Sequence, residues 1–225
     1  MKMKVSGVKK MVETGVTESL DAWVSIPLEN AVLTYLRSGR AEAEQMPPVE
    51  TRGAETGGRG KPANDICAEA EIALVKMEGV SHLVFSENAS HKYLKGYRAA
   101  GRDSGYLLNA ARGLADTLFH NADSLYDGAV HGDGSAAFGV IFMENVDGFM
   151  KIHPCVFVRA AGTAFYETAC GSGCAAAVMA LCRKRRCGVS AQILQPSGAF
   201  IETSVRYVDG RFIDARISGK VKTLL

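Results

Sequence analysis

The 225-residue chain has an ordinary globular composition, with 47% hydrophobic and 22% charged residues and a formal net charge of +2. So small a net charge gives no support for binding to nucleic acid or to a membrane surface, and the longest apolar run, residues 174–182, is too short to cross a bilayer. Because the N-terminus lacks an apolar signal region, the chain is expected to be cytoplasmic, with its six cysteines reduced.

The first predicted element is a helix, followed by a long polar segment. Apolar residues before position 40 recur at helical spacing, with a glycine placed as a stop: Leu28, Ala31, Val32, Tyr35, Leu36 and Gly39. Residues 40–65 are rich in Gly, Glu, Arg and Pro and poor in apolar side chains. This composition predicts a flexible loop.

Strands and a second helix are predicted in the middle of the chain. Residues 70–77 and 82–85 have the composition of strands, separated by a turn at Glu78-Gly79. An apolar stripe at helical spacing follows: Leu107, Leu108, Ala111, Leu114, Ala115, Leu118 and Phe119. Residues 137–143 and 151–159 are again apolar and favour strands.

The C-terminal third predicts a buried helix and a hairpin. The helix is expected over 172–187, with Gly188 as the left-handed residue after its end and the basic cluster 183–186 as a solvated face. Alternating apolar residues around Asp209-Gly210 predict a β-hairpin. The predicted fold class is therefore α+β, with a mixed or mostly antiparallel sheet wrapped around one central helix.

The most informative motif begins that helix, with Cys170 followed by Gly171, Ser172 and Gly173. A thiol at a helix N-terminus feels the positive end of the helix dipole, so its pKa is expected to fall and Cys170 becomes a candidate acid/base. The N–H groups of the three following residues could bind a carboxylate. The alternative is a buried, inert cysteine before a tightly packed helix.

No metal site is expected. The chain has no Cys-x-x-Cys pair and no Cys/His cluster at zinc spacing, and its five histidines are scattered. Cys174, one turn after Cys170, and also Cys67 and Cys155 are interpreted as core residues.

The cysteine motif resembles the second cysteine motif of the diaminopimelate epimerase family, the cofactor-independent amino-acid racemases. Four further segments resemble family landmarks in the same order: Val5-Ser6-Gly7, Gly79-Val80-Ser81-His82, Gly139-Val140-Ile141-Phe142 and Gln195-Pro196-Ser197-Gly198. The resemblance implies that residues 1–225 form a single epimerase-like lobe, equivalent to the C-terminal half of the family fold. It also implies catalysis without pyridoxal phosphate or another cofactor.

The resemblance also implies roles for individual residues. Cys170 would be one of two acid/base groups, and Gly171, Ser172 and Gly173 would hold the substrate carboxylate. The preceding Glu167 and Thr168 would also contribute to substrate binding. They match the family less closely, because one residue rather than two separates Thr168 from the cysteine. His82 would line the site and contact the substrate; the alternative is a structural residue, because a histidine that enters an apolar strand is as often one whose hydrogen bonds are satisfied within the core.

The substrate implied by the resemblance is an amino acid. The Glu-Arg-Gly segment that grips diaminopimelate in the family is replaced here by Thr163-Ala164-Phe165-Tyr166. This aromatic replacement is more similar to the histidine racemases of opine-metallophore pathways, so histidine is favoured over diaminopimelate.

Three functions remain open, because the glycine-Asn-glycine turn that carries the family's first catalytic cysteine is missing. The first is a racemase completed by a complementary N-terminal lobe or by a second copy in a homodimer. The second is a vestigial, non-catalytic lobe that only binds carboxylates. The third is an isomerase that uses Glu167 as its base, with Cys170 as a bystander.

Overall fold

The computed structural model describes residues 19–28, 31–36, 72–120, 137–158 and 161–222. Three helices occur in these ranges: α1 (Glu87–Ala99), α2 (Ser104–His120) and α3 (Gly171–Arg185). Ten strands accompany them: β1 (Ser19–Pro27), β2 (Val32–Leu36), β3 (Ile72–Met77), β4 (Val80–Phe85), β5 (Ala137–Val146), β6 (Phe149–Val158), β7 (Thr163–Tyr166), β8 (Val189–Leu194), β9 (Phe200–Val208) and β10 (Arg211–Lys222).

All ten described strands belong to one mixed sheet. Its order is β1-β10-β9-β8-β6-β5-β4-β3-β2, and β7 pairs with β6 outside this path. Two neighbouring pairs, β4 with β5 and β6 with β8, are parallel, and the remaining pairs are antiparallel. The predicted α+β class with a mixed sheet is confirmed at this level.

Helix α3 lies inside the curve of the sheet. It contacts strands β3, β4, β5, β6, β8, β9 and β10. Every residue from Gly173 to Met179 is buried. Because strands surround the helix, its small Ala175-Ala176-Ala177 segment allows close approach, and burying a side chain as large as Met179 contributes about 1.5–3 kcal/mol.

A second core lies on the opposite face of the sheet, where α1 and α2 pack. Leu83, Phe85 and Phe142 from the strands meet Leu94 of α1 and Leu107 of α2. None of the described helices has the length and apolar content required to span a membrane.

Both predicted hairpin turns are confirmed. Gly79 joins β3 to β4 with φ +80°, and Asp209-Gly210 joins β9 to β10 with φ values of +48° and +81°. Positive φ favours glycine and is tolerated by aspartate, which explains why these residues mark the turns. The strands predicted over 137–143 and 151–159 and the helix carrying the stripe from Leu107 are confirmed as well.

The helix predicted between Leu28 and Leu36 is wrong. Residues Val32–Leu36 form strand β2, which pairs antiparallel with β3 from Val32 opposite Lys76 to Leu36 opposite Ile72. Pairing with an existing strand overrides the helical spacing of the apolar residues, since local pattern is a weak prior against tertiary context. The loop predicted over 40–65, Gly39 and Cys67 lie outside the described residues.

The predicted C-terminal cap of the central helix is also wrong. Arg186, not Gly188, adopts the left-handed conformation, with φ +56°, and its N–H donates to the Cys182 carbonyl. Gly188 serves a different purpose, because a Cβ there would lie 3.0 Å from the Val205 carbonyl oxygen. Glycine is therefore needed for the close approach of the chain to β9.

Candidate functional site

Cys170 is the N-cap of α3. Its backbone is extended (φ −135°), and its sulfur accepts the N–H of Gly173 at 3.3 Å. A Cβ at residue 173 would lie 3.0 Å from this sulfur, so glycine makes room for the cap. The motif lies between a strand and a helix, since β7 ends at Tyr166 and α3 begins at Gly171.

The backbone donors at the start of α3 divide into bonded and free groups. The Cys170 N–H donates to the Gln195 side-chain oxygen at 3.0 Å, and the Gly173 N–H donates to the Cys170 sulfur. Within the described part of the chain, the N–H groups of Gly171 and Ser172 have no acceptor. Both residues are partly exposed. Two adjacent donors at the positive end of a helix are thus available to an anion.

His82 contacts the cysteine motif through Ser172. Its Nε2 lies 3.0 Å from the Ser172 hydroxyl, and that hydroxyl lies 3.6 Å from the Cys170 sulfur. The imidazole is completely buried, and burial lowers the pKa of His82 to about 4, so the ring is neutral at pH 7. His82 therefore touches Ser172 rather than open solvent, although the sequence predicts it as a substrate contact.

The tautomer of His82 follows from its second nitrogen. Nδ1 has no hydrogen-bond partner and faces Gly139, where a Cβ would lie 2.2 Å away. A buried N–H without an acceptor is rarer than a buried lone pair, so we assign the proton to Nε2. His82 then donates to Ser172, and the hydroxyl proton of Ser172 is free to point at the sulfur of Cys170.

The expected lowering of the Cys170 pKa is wrong for this structure. Burial is the largest cause of a raised pKa, because Cys170 is only 3% exposed. The charge of Glu167 and a hydrogen bond with its side chain raise the pKa further. Ser172 and the Gly173 N–H oppose the rise without cancelling it. The helix terminus therefore stabilises the thiolate less than burial destabilises it, and the resting group is a neutral thiol.

Glu167 and Thr168 lie on the segment that leads into the helix. The Glu167 N–H donates to the Pro154 carbonyl at 3.0 Å, and the Thr168 carbonyl accepts from Ser197 at 3.1 Å. Glu167 is partly buried and Thr168 is exposed. The structure thus brings Glu167, Thr168, Cys170, Gly171, Ser172, Gly173 and His82 together at one end of α3.

Two of the other cysteines in the described ranges are interpreted from the sequence as core residues. Cys174 and Cys155 are fully buried in the two cores, as interpreted from the sequence. Burial raises the pKa of each to about 12. In the basic cluster predicted over 183–186, Lys184, Arg185 and Arg186 are exposed as expected. Arg183 departs from the prediction, because it is partly buried and donates to the Tyr207 hydroxyl at 2.9 Å.

A buried polar network that the sequence did not predict lies on the other side of β6. His153 is 1% exposed and lies 2.7 Å from the Tyr166 hydroxyl through Nδ1 and 2.8 Å from Glu144 through Nε2. Glu144 also pairs with Arg98 at 2.9 Å. A histidine within the apolar run 151–159 was the available signal, because a buried imidazole requires partners.

A cavity of about 370 Å³ lies near the C-terminal end of α3. Val84 and Met143 contribute to its apolar lining, and Lys184, Arg185 and Glu87 contribute charged groups. None of the predicted site residues lines it. Among the described residues, no three His, Cys, Asp or Glu side chains form a group able to hold a metal ion.

Comparison with known proteins agrees with the racemase resemblance. A family model described as "Histidine racemase CntK N-terminal domain" matches residues 107–224, more than half of the chain. A histidine racemase from Fusobacterium nucleatum subsp. nucleatum is 26% identical over 145 residues, which cover 63% of this chain and 44% of that protein. The chain therefore spans less than half the length of this relative.

Two solved structures are also similar. A hydroxyproline epimerase from Agrobacterium vitis, with bound trans-4-OH-L-proline, has a TM-score of 0.48 and 16% identity, covering 90% of this chain and 50% of its own. A PhzF-family phenazine biosynthesis protein from Bacillus anthracis has a TM-score of 0.40 and 9% identity, with 99% and 64% coverage.

The family model is described as an N-terminal domain, whereas the sequence landmarks predict the C-terminal half of the fold. The assignment to a single C-terminal lobe stays a prediction. The match over residues 107–224 includes the cysteine motif and the Gln195-Pro196-Ser197-Gly198 landmark. The chain therefore belongs to the histidine racemase CntK N-terminal domain family, among the diaminopimelate epimerase-like racemases.

Proposed function

We propose that this chain takes part in the racemisation of an amino acid, with Cys170 exchanging the α-proton on one face of the substrate. The single observation that carries the proposal is the pair of free N–H groups of Gly171 and Ser172 beside the Cys170 sulfur. They would hold the substrate carboxylate and stabilise the charge that develops on it as the carbanion forms.

The raised pKa of Cys170 suits the proton-donating direction of this reaction. A neutral thiol delivers its proton to the carbanion and becomes a thiolate, which the Ser172 hydroxyl and the Gly173 N–H stabilise. In the opposite direction Glu167 takes the thiol proton, the thiolate then removes the α-proton, and the electron pair of the broken C–H bond moves into the carboxylate. The charge of Glu167, which contributes to the raised pKa of Cys170, supports this role.

Inversion requires a second acid on the opposite face of the substrate. We assign it to a complementary lobe or to a second copy of this chain, because the chain covers only 44% of the related histidine racemase. Sedimentation at working concentration distinguishes these possibilities. A monomer that racemises its substrate at full rate would contradict both.

Histidine is the proposed substrate, and diaminopimelate is the second candidate. The name of the Fusobacterium relative supports histidine, as does the aromatic segment Thr163-Ala164-Phe165-Tyr166. We also propose that no pyridoxal phosphate takes part. Treatment with hydroxylamine, which removes that cofactor from enzymes, should leave the rate unchanged.

The test is exchange of the α-proton of L-histidine for deuterium in heavy water, followed by NMR. Wild-type protein is expected to exchange the proton, and Cys170→Ser should lower the rate by about 10² to 10⁴-fold because it removes the acid/base group. Cys187→Ser is the matched control, since Cys187 is an exposed thiol after the other end of α3 and should have no effect.

Two alternatives give different results in the same assay. If Glu167 is the base and Cys170 a bystander, Glu167→Gln abolishes exchange and Cys170→Ser does not. If the lobe only binds carboxylates, histidine shifts the amide resonances of Gly171 and Ser172 while no deuterium is incorporated. The raised pKa of Cys170 favours the binding alternative, because a neutral thiol must lose its own proton before it can remove the α-proton.

A further inference from the structure

Gln195 makes three hydrogen bonds although its side chain is completely buried. Its Oε1 accepts the N–H of Cys170 at 3.0 Å. Its Nε2 donates to the carbonyl of Ile193 at 3.0 Å and to the sulfur of Cys174 at 3.1 Å. Only one orientation of the amide satisfies this set, because flipping it would place the oxygen against a carbonyl and the NH₂ against an N–H.

These bonds connect strand β8 to two points on the first turn of α3. Cys170 and Cys174 are four residues apart and lie on one side of the helix, so holding both restricts how the helix start can rotate or slide against the strand. The turn after β8 is held as well, because the Gln195 N–H donates to Ala199 at 2.8 Å and the Ser197 N–H to Thr168 at 3.1 Å.

The bond to Cys170 also determines which donors remain free. With the Cys170 N–H occupied by Gln195 and the Gly173 N–H by the sulfur, the N–H groups of Gly171 and Ser172 are left for a ligand. A change at Gln195 would therefore alter the position of the sulfur relative to these two donors.

We infer that Gln195 is a positioning residue, which fixes the Cys170 sulfur beside the free N–H groups of Gly171 and Ser172. The inference deepens the proposed function, since the importance of this position rests on the proposed role of Cys170. The side chain of Gln195 hydrogen-bonds to Cys170, Cys174 and Ile193, and it acts through the cysteine.

The test compares Gln195→Met, which removes all three side-chain hydrogen bonds at similar volume, with Gln192→Met, whose side chain is exposed on the preceding strand β8. Iodoacetamide labelling of Cys170 is followed by mass spectrometry across a pH series, with exposed Cys187 as the internal reference. In Gln195→Met we expect Cys170 to become about five-fold more reactive relative to Cys187, because a released thiol loses part of its burial. The midpoint of its pH profile should move to lower pH, because burial is the largest cause that raises the pKa of Cys170.

Turnover should change in the opposite direction. The maximal rate of histidine α-proton exchange in Gln195→Met is expected to fall by about 10 to 100-fold, since a displacement near 1 Å is enough for such a loss, while KM changes by less than about 3-fold. A merely structural role would lower turnover in proportion to the folded fraction, which circular dichroism measures. The rate per folded molecule would then stay at the wild-type value, whereas a positioning role lowers it.

Gln195→Asn provides the second variant, and it carries the test if the methionine variant fails to fold. Its amide keeps the same donors and acceptor but is one methylene shorter, so it cannot reach all three partners, and a smaller rise in Cys170 reactivity is expected. A folded Gln195 variant whose labelling profile and kcat match those of Gln192→Met would overturn the inference. If wild-type protein shows no exchange, the proposed function fails, whereas the labelling comparison still decides the role of Gln195.

Discussion

At the scale of single residues, the position of His82 depends on the absence of a side chain at Gly139. The two residues lie opposite each other in the parallel pair β4 and β5. The missing Cβ at Gly139 leaves the space that the imidazole fills, and the ring in turn reaches Ser172. A contact between residues 90 positions apart in sequence thus supports the hydroxyl that faces Cys170.

Gly139→Ala is expected to disturb both stability and the site. Because the new Cβ would lie 2.2 Å from Nδ1 of His82, the ring must move away from Ser172, and overpacking of this kind costs about 1–3 kcal/mol. Urea unfolding measures the stability, and α-proton exchange should fall together with it.

Gly113→Ala is the matched control for that substitution. Gly113 lies within α2, is exposed, and a Cβ there meets nothing within 4 Å. Alanine should therefore stabilise the helix by about 0.5–1 kcal/mol. Equal stability changes for the two substitutions would contradict the proposed contact between Gly139 and His82.

At the scale of elements, the central helix ends on a strained residue. Arg186 has φ +56°, a conformation that costs a residue with a Cβ about 1–2 kcal/mol. The helix nevertheless stops here, because the Arg186 and Cys187 N–H groups both reach the Cys182 carbonyl and Gly188 must then pass close to Val205.

Arg186→Gly is therefore expected to raise the free energy of unfolding by about 0.5–1 kcal/mol, because glycine adopts positive φ without strain. Arg185→Gly, one residue earlier and still helical, should lower it by about 1 kcal/mol. Chemical denaturation of both variants measures the two effects. A loss of stability in Arg186→Gly would show that the arginine side chain contributes more than its backbone strain costs.

Elements with strong local signals could be predicted from the sequence, whereas those decided by distant partners could not. The turns at Gly79 and Asp209-Gly210 require positive φ, and this requirement is visible in the sequence as a glycine or aspartate at the turn. Helix α1 was missed because it buries only Ser90 and Leu94. It is stabilised instead by the Ser86 cap and by the Ser90 hydroxyl, which donates to Phe85 and accepts from Met143.

The same distinction applies to the site. The cysteine motif predicted Cys170, Gly171, Ser172 and Gly173 as neighbours at a helix start, because these residues are contiguous. His82 and Gln195 contact that helix from 90 and 25 positions away in sequence, so no local pattern of residues predicts these contacts. The pKa of Cys170 was mispredicted for a related reason, since burial depends on the strands around α3.

At the scale of the whole molecule, the sheet encloses α3 and leaves its N-terminus as the place where the site residues meet. Enclosure by strands also buries two histidines, His82 on one face of the sheet and His153 on the other. Burial is the largest cause that lowers the pKa of each, and for His153 it outweighs the hydrogen bond and charge of Glu144, which raise the pKa. Both rings are therefore neutral in the folded protein at pH 7.

Stability is accordingly expected to fall between pH 7 and pH 5. A group whose pKa is lower in the folded state binds more protons when the chain is unfolded. Its contribution to the free energy of unfolding is therefore fully present above the unfolded pKa near 6.5, and it is lost as the pH falls toward the folded pKa. For His82, with a folded pKa of about 4, the loss over this range is about 2 kcal/mol, and His153 adds to it with the same sign.

Urea unfolding at a series of pH values checks this expectation, with His82→Gln as the diagnostic variant. Glutamine can still donate to Ser172 but does not titrate, so the slope of unfolding free energy against pH should become shallower. His91→Gln, on the exposed side of α1, should leave the slope unchanged. If His82→Gln and wild-type protein lose equal stability between pH 7 and pH 5, the imidazole of His82 takes up protons as readily in the folded protein as in the unfolded chain, which would contradict its burial beside Ser172.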